Sequence, residues 1–568
     1  MKNRIQIYSC LLFCLLLVYA VKAQETEAVE NVNDVLKQNF KKHVSFLSDD
    51  DLEGRATGTK GEQLAYRYII NEFEQIGLQK IKGETDFISE FDFYNGMIVG
   101  SKTMLTLNGN SYQLNKDFYP VAQSASGSFS GKIVSVGYGI EATDLNYNNF
   151  SKKNKEIAGK AAFIDLSNPD PSNPHSEYAP YSGINYRIEK AIEKGAAAII
   201  LYNTNQFINN PDEKYKIKAN RFNVPVVFVK DITIAASLKK RKNTVELLVE
   251  IEPVIGTGNN IVAKIDNNAN YTVVIGAHYD HIGYGSFGSR YTGPPAIHNG
   301  ADDNASGTAM LIELARWLKN SELTNNNYTF VAFSGEEMGL YGSKALVKSE
   351  NFNSKKVNYM LNYDMVGRLN EDSILSINGV GTSNNWDVLN DIKSEGIATV
   401  NKSESGLGPS DHASFYLENI PAIHFFSGAH NDYHKPSDDE EFINYNGMNA
   451  IFDLSIVLID SLNDDGKLNF KKTKDNNTNN APKFTVTLGV MPDYVFAGKG
   501  MRIDGVTDGK TAFKAGIEAG DIVTKMGNYN VNDMMSYMEA LSKFKKGDKT
   551  AVEIIRDNET KSFEITFQ

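Results

Sequence analysis

Seven of the nine histidines fall between His278 and His434, where an even scatter would leave about two or three by length fraction. Acidic residues accompany them at the ends of apolar runs. VVIGAHYDH places His278 and Asp280 just past one run, NYTFVAFSGEE places Glu336 and Glu337 past a second, and MLNYDMVG places Asp364 past a third. Asp303 in GADDNASG precedes an amphipathic stretch, and His434 in NDYHKPSD follows the apolar run IPAIHFF. Two histidines and three carboxylates, with no sulfur, form a donor set suited to zinc in an open, catalytic site. Five ligands exceed what one catalytic zinc takes, and a carboxylate shared between two ions is the economical arrangement. Glu336 and Glu337 are adjacent, so their side chains diverge: one can ligate metal while the other faces a water, but one side chain cannot do both.

These residues need a scaffold that gathers strand ends. From 253 to 463 strands and helices alternate, with apolar runs at Val273–Ile275, Tyr328–Phe333 and Val357–Leu361. Leu311, Leu314, Ala315 and Leu318 mark a helix after the first run. That alternation predicts an α/β fold, a mostly parallel sheet with helices on both faces. In such a sheet ligands bind outside the carboxyl ends of the strands, where the acidic residues lie. Residues 61–77 carry helical spacing and end at Gly77. Residues 91–252 read as short strands and turns around one helix (Ile184, Ile188, Ile192), and 464–482 have a polar linker composition. The remainder, 483–568, is a small domain with strand candidates at 484–488 and 551–556 and a helix near 532–544.

The 568 residues, 41% hydrophobic and 11% aromatic, suit several globular domains. A net charge of −12 argues against nucleic acid, whose phosphates want a basic surface. The only cysteines, Cys10 and Cys14, lie in a leader with Lys2 and Arg4 before an apolar core and Ala23 at a cleavage position. That reads as a signal peptide over 1–23, so the mature protein is expected to be exported, periplasmic or extracellular. It would then have no disulfide, no thiolate ligand and no membrane span.

The motifs HYD, GADDNASG, SGEE, YDMVG and DYH, in that order, resemble the secreted zinc aminopeptidases with a co-catalytic metal pair, over about 210 residues. The resemblance implies the α/β/α sandwich of those peptidases and two zinc ions per chain. His278, Asp303 and Asp364 would bind one ion and Glu337 and His434 the other, with Asp303 bridging. It further implies a cis peptide after Asp303, Glu336 as general base, Tyr433 as hydroxyl donor to the tetrahedral intermediate, and Asp280 as the group orienting His278. Asp302 stands where the family often has Asn. LEGRATGTKGE is typical of a bacterial subgroup. Residues 91–252 resemble an inserted, β-rich protease-associated domain, between peptidase parts at 24–90 and 253–463. Residues 483–568 resemble a PDZ domain, with Leu488, Gly489 and Val490 as the loop for a C-terminal peptide ligand.

Each motif alone is weak, since Asp-Asp-Asn before a helix is an ordinary cap and Glu-Glu suits a helix start. His424 is expected to pack in a core. His281 and His412 either line the pocket or do not, and Asp411 either touches substrate or caps a helix. The expected activity is removal of N-terminal residues from peptide substrates. The alternatives are a glutaminyl cyclase with one zinc, a carboxypeptidase on dipeptide-like substrates, and a peptide-binding scaffold on an inactive core.

Overall fold

A computed structural model describes residues 33–567 except 82–85, 152–153, 174–175, 212, 214–221, 239–242, 474–485, 493–498, 507–508, 533 and 558. The expected leader therefore lies outside the described residues. The chain divides into two compact units, one of residues 1–91 with 257–568 and one of Asp92–Gly256.

The first unit is built on an eight-stranded mixed sheet. Its elements are α1 (Lys60–Ile76), β1 (Ile88–Val99), β2 (Ile251–Ile265), β3 (Thr272–His278), α2 (Gly307–Lys319), β4 (Asn327–Phe333), α3 (Tyr341–Lys348), β5 (Val357–Tyr363), β6 (Ile374–Asn378), β7 (Thr399–Ser403), α4 (His412–Leu417), β8 (Ala422–Phe426) and α5 (Tyr445–Ser461). The strand order is β1-β2-β4-β3-β5-β8-β6-β7. Pairs β3–β4, β3–β5, β5–β8 and β6–β7 are parallel, whereas β2–β4 and β6–β8 are antiparallel.

The central strands read as continuous apolar runs because both faces are covered. On β3, Val273, Ile275 and Ala277 enter the larger core with α1, α2 and α5, while Val274 faces the opposite core with Leu346 of α3 and Phe415 of α4. On β4, Tyr328, Phe330 and Ala332 take the first face, and Val331 and Phe333 the second. Truncating a fully buried member such as Phe330 to alanine costs about 3–5 kcal/mol. This two-sided burial aligns β3, β4 and β5, so the residues after their carboxyl ends meet on one edge.

Residues 464–473, expected as the start of a linker, instead lie against this core. Leu468 is buried with its N–H on Asn358 Oδ1 (2.7 Å), and Thr473 N–H reaches the Tyr416 hydroxyl (3.2 Å).

In the second unit a mixed sheet of eight strands, among them Gly127–Ser135, Ala161–Asp165, Ala198–Tyr202 and Thr244–Val249, carries an apolar core on each face. The helix expected around Ile188 spans Ile184–Glu193. The C-terminal residues form a small sheet through Met501–Val506, Ile522–Met526, Lys549–Arg556 and Glu559–Thr566, with a helix at Met534–Leu541. The strand expected at 484–488 falls partly outside the described residues. Its described part, 486–488, is not a strand, and pairing starts at Val490, after Gly489 at φ 77°. Among the described residues, no helix is long and apolar enough to cross a membrane.

Candidate active site

His278 is the last residue of β3, and its Nδ1 faces the backbone oxygen of Asp280 at 3.2 Å, which turns Nε2 outward. The Asp280 carboxylate stands farther from that ring, at 3.8 Å. It accepts instead from Thr57 Oγ1 (2.9 Å) and from the Glu336 N–H (3.3 Å). Asp303 heads α2 after a tight loop, and the Asp303–Asn304 peptide is cis. Asp438 accepts the N–H groups of Asp302 and Asp303 at 3.1 Å. Asn304 donates to Tyr363 O (3.0 Å) and accepts from Met365 N (3.1 Å), tying that loop to the end of β5. Asp364 follows β5 directly, and Glu336 and Glu337 sit in the turn after β4. His434 lies in the loop beyond β8 with Nδ1 2.9 Å from Gly288 O, so its Nε2 faces the same edge.

The result is two donor sets that share one carboxylate. His278, Asp303 and Asp364 form one, and His281, Asp303, Glu337 and His434 form the other. Within each set the donor atoms lie within 4.8 Å of one another. His278 Nε2 is 3.4 Å from Asp303 Oδ1 and 3.3 Å from Asp364 Oδ1. His434 Nε2 is 3.2 Å from Asp303 Oδ2 and 3.0 Å from Glu337 Oε2. Such spacing, with imidazole nitrogens beside carboxylate oxygens, is a donor set that fits zinc, and Asp303 is common to both sets. All five expected ligands are brought together. Glu336 belongs to neither set but lines the same cavity.

The sequence left His281 undecided. The structure places it in the second set, with Nδ1 2.7 Å from Glu337 Oε1 and Nε2 buried without a hydrogen-bond partner among the described residues. The available signal was its position one residue past the HYD motif.

Burial works against charge throughout the site, yet the groups hold one another ionised. His434 is carried to about 11 by Glu337 and Asp303 against the pull of burial. Glu337 is held at about 2 despite burial, chiefly by His434 and by its bond to His281. Asp303 is likewise held well below the usual carboxylate range by His278 and His434. Glu336 goes the other way: burial, then Asp364 and Glu337, push it well above the ordinary range despite His278. Tyr433 is pushed well above 10 by burial and by the surrounding Asp303, Glu337, Glu336 and Asp364, so its hydroxyl keeps its proton. Its ring stacks on His434, centroids 3.9 Å apart.

A cavity of about 160 Å³ opens over these groups, its further walls formed by Met365, Asn378, Pro409, His424, Phe426 and Ala429. His424, expected in the core, is buried and also contributes to this wall. It stacks on His412 (4.8 Å), whose ring has no hydrogen-bond partner among the described residues. Asp411 does not cap α4; its carboxylate is fully buried behind the cavity. His430 Nε2 stands 3.2 Å from Asp302 Oδ2 and so braces the Asp303 loop. A larger groove of about 750 Å³ beside Trp317 and Phe452 has none of this chemistry; its Glu313 is occupied by His43, Asn39 and Arg316.

The stretch that carries these residues is also matched by known proteins. The model of peptidase family M28 matches residues 260–459, and that of the PDZ domain matches residues 469–567. Aminopeptidase YwaD of Bacillus subtilis is 28% identical over 283 residues, 47% of this chain and 57% of that protein. The probable lipoprotein aminopeptidase LpqL of Mycobacterium tuberculosis is 24% identical over 71% of this chain and 76% of its own length. The chain spans about half the length of most of the curated relatives it matches. Among solved structures, BSAP, a zinc aminopeptidase from Bacillus subtilis, is 22% identical, with a TM-score of 0.42 over 78% of this chain and 96% of that one. Residues 260–459 are thus similar to peptidase family M28, and residues 469–567 to the PDZ domain.

Proposed function

We propose that this chain is a zinc-dependent aminopeptidase, a hydrolase that removes N-terminal residues from peptides with two zinc ions and a glutamate base. The observation that carries this reading is the pair of donor sets sharing Asp303, with Glu336 beside them and outside both. The names borne by the relatives, aminopeptidases in each case, support it. His278, Asp303 and Asp364 would hold one ion, and Glu337 and His434, with His281 against them, the other. Bound zinc supplies Lewis-acid polarisation of the scissile carbonyl and acidifies the attacking water.

The protein's own groups do the rest. Glu336 takes a proton from the attacking water and returns it to the leaving amine, a role worth about 10²–10⁴-fold. Its raised proton affinity suits a group that must hold a proton between the two transfers. Tyr433 donates its hydroxyl to the carbonyl oxygen as charge develops there. Asp280 fixes the turn that carries His278 by accepting from Thr57 and the Glu336 N–H. The acidic surroundings favour the free ammonium of a peptide N-terminus, and the cavity beyond them receives its side chain.

We read residues 91–252 as the protease-associated insertion. The loop Leu488, Gly489 and Val490, which leads into the strand starting at Val490, would take a C-terminal peptide by strand addition. The chain is exported on this reading.

A panel of free-amine, N-acetylated and C-amidated peptides, read beside zinc content per chain, tests the proposal. Free amines should be cleaved, acetylated ones should be poor substrates, and amidation should matter little. Equal turnover of blocked and free peptides would overturn the exopeptidase reading, and one zinc per chain would overturn the two-ion site.

A further inference from the structure

The segment Leu52–Glu62 lies upstream of the residues that match the peptidase family, yet three of its side chains reach turns that carry the donor sets. Arg55 is fully buried. Its Nε donates to Tyr279 O (2.8 Å), one Nη to Asn299 O (2.6 Å) and to Leu47 O, and the other Nη to Gly300 O (3.0 Å). Tyr279 sits between His278 and Asp280, and Gly300 opens the loop that presents Asp303. One guanidinium therefore spans the turn after β3 and the loop before α2.

The backbone reinforces this. His281 N–H donates to Arg55 O (3.3 Å) and Gly283 N–H to Gly54 O (3.0 Å). Gly54 has φ 67°, and a Cβ there would fall 2.5 Å from the His298 carbonyl, so the segment lies flat on that turn. Two residues beyond Arg55, Thr57 Oγ1 donates to Asp280 Oδ2 (2.9 Å). Glu62 accepts from the Tyr279 hydroxyl (3.2 Å) and from Ser334, just before Gly335 and Glu336.

A buried cation is costly unless its donors are matched. Arg55 meets that condition with four carbonyls and with Asp303, Asp280, Asp438 and Glu337 nearby, which offset part of the burial that lowers its pKa to about 10. The planar fork presents five donors in fixed directions, which a lysine ammonium cannot reproduce.

We propose that Arg55 is a positioning residue of the metal centre: it sets the separation between the His278–His281 turn and the Asp303 loop, and thereby the affinity of both donor sets for zinc. This rests on the zinc reading above. Thr57 does the same for Asp280 on a smaller scale.

The test uses the full mature chain with Arg55→Lys, Arg55→Ala and Thr57→Val. Thermal melts of the metal-free proteins report folding, and competition against a chromophoric chelator reports zinc affinity. Arg55→Lys should fold and bind zinc about 10–100-fold more weakly, the usual effect of losing a partner outside the ligand shell. Thr57→Val should show a several-fold loss, and it carries the test if neither Arg55 variant folds. Arg55→Lys, or Thr57→Val in that case, binding zinc as tightly as the parent would overturn the proposal and leave the segment as packing. A parent chain that binds no zinc would instead refute the metal reading itself, so the two failures are distinct.

Discussion

Asp411→Asn should make the metal-free protein more stable at alkaline pH and leave it nearly unchanged in acid. The Asp411 carboxyl is fully buried, and the Ser343 hydroxyl beside it offsets only part of the cost of that burial. Burial, against the pull of His278 and of the Ser343 hydroxyl and with a smaller push from Asp364, raises its pKa from 3.8 to about 7. A carboxyl raised on folding favours the native state below its unfolded pKa. That advantage is lost as pH climbs, because the unfolded chain releases the proton first. The loss runs at up to about 1.4 kcal/mol per pH unit. Across the window between 3.8 and about 7 it reaches on the order of 4 kcal/mol. Asparagine has the same shape and no proton to release, so it escapes the loss. The stability gap in its favour should widen by roughly 3 kcal/mol between about pH 5 and about pH 8. Urea unfolding followed by tryptophan fluorescence isolates the relevant unit, because the only tryptophans, Trp317 and Trp386, both lie in the peptidase region. A gap that does not change with pH would show that Asp411 is ionised and hydrated in the native state, and that its burial carries no such cost.

Glu336→Gln should keep the full zinc content by metal analysis while turnover falls by about 10²–10⁴, whereas Glu337→Gln should lose zinc; the reverse pattern would exchange the two roles. Tyr433→Phe should lower kcat by an amount equivalent to ~3–4 kcal/mol with little change in KM, as expected of a donor used only as charge develops. The parent's activity should show no alkaline loss from Tyr433 near about pH 10, since burial and four carboxylates hold its proton. His281→Ala should weaken zinc binding about 10–100-fold, because Nδ1 is 2.7 Å from Glu337 Oε1; chelator competition at unchanged thermal stability checks it.

The types and order of the site residues were legible in the sequence because each belongs to a local signal. A short apolar run bounded by turn residues reads as a strand covered on both faces, and the polar residue ending it then sits at the sheet's edge. His278, Glu336, Glu337 and Asp364 follow from that alone, as does a mostly parallel α/β sheet. Other features rest on contacts between residues far apart in the chain, which no local pattern encodes. His281 joins the second donor set because the turn after β3 aims its Nδ1 at Glu337, 56 residues away. Arg55 bonds carbonyls 224 to 245 residues downstream, so LEGRATGTKGE carries in sequence no hint of where its guanidinium ends. Asp411 looks like a helix cap from its neighbours, and only the packing of α4 against β5 and β8 buries its carboxylate. Residues 464–473 have a linker's composition, but Asn358 and Tyr416 offer their backbone the hydrogen bonds that hold it to the core. Local periodicity and donor chemistry thus specified which residues gather at the sheet edge, while side-chain direction, burial and charge at each one were decided only by the neighbours that folding brought to it.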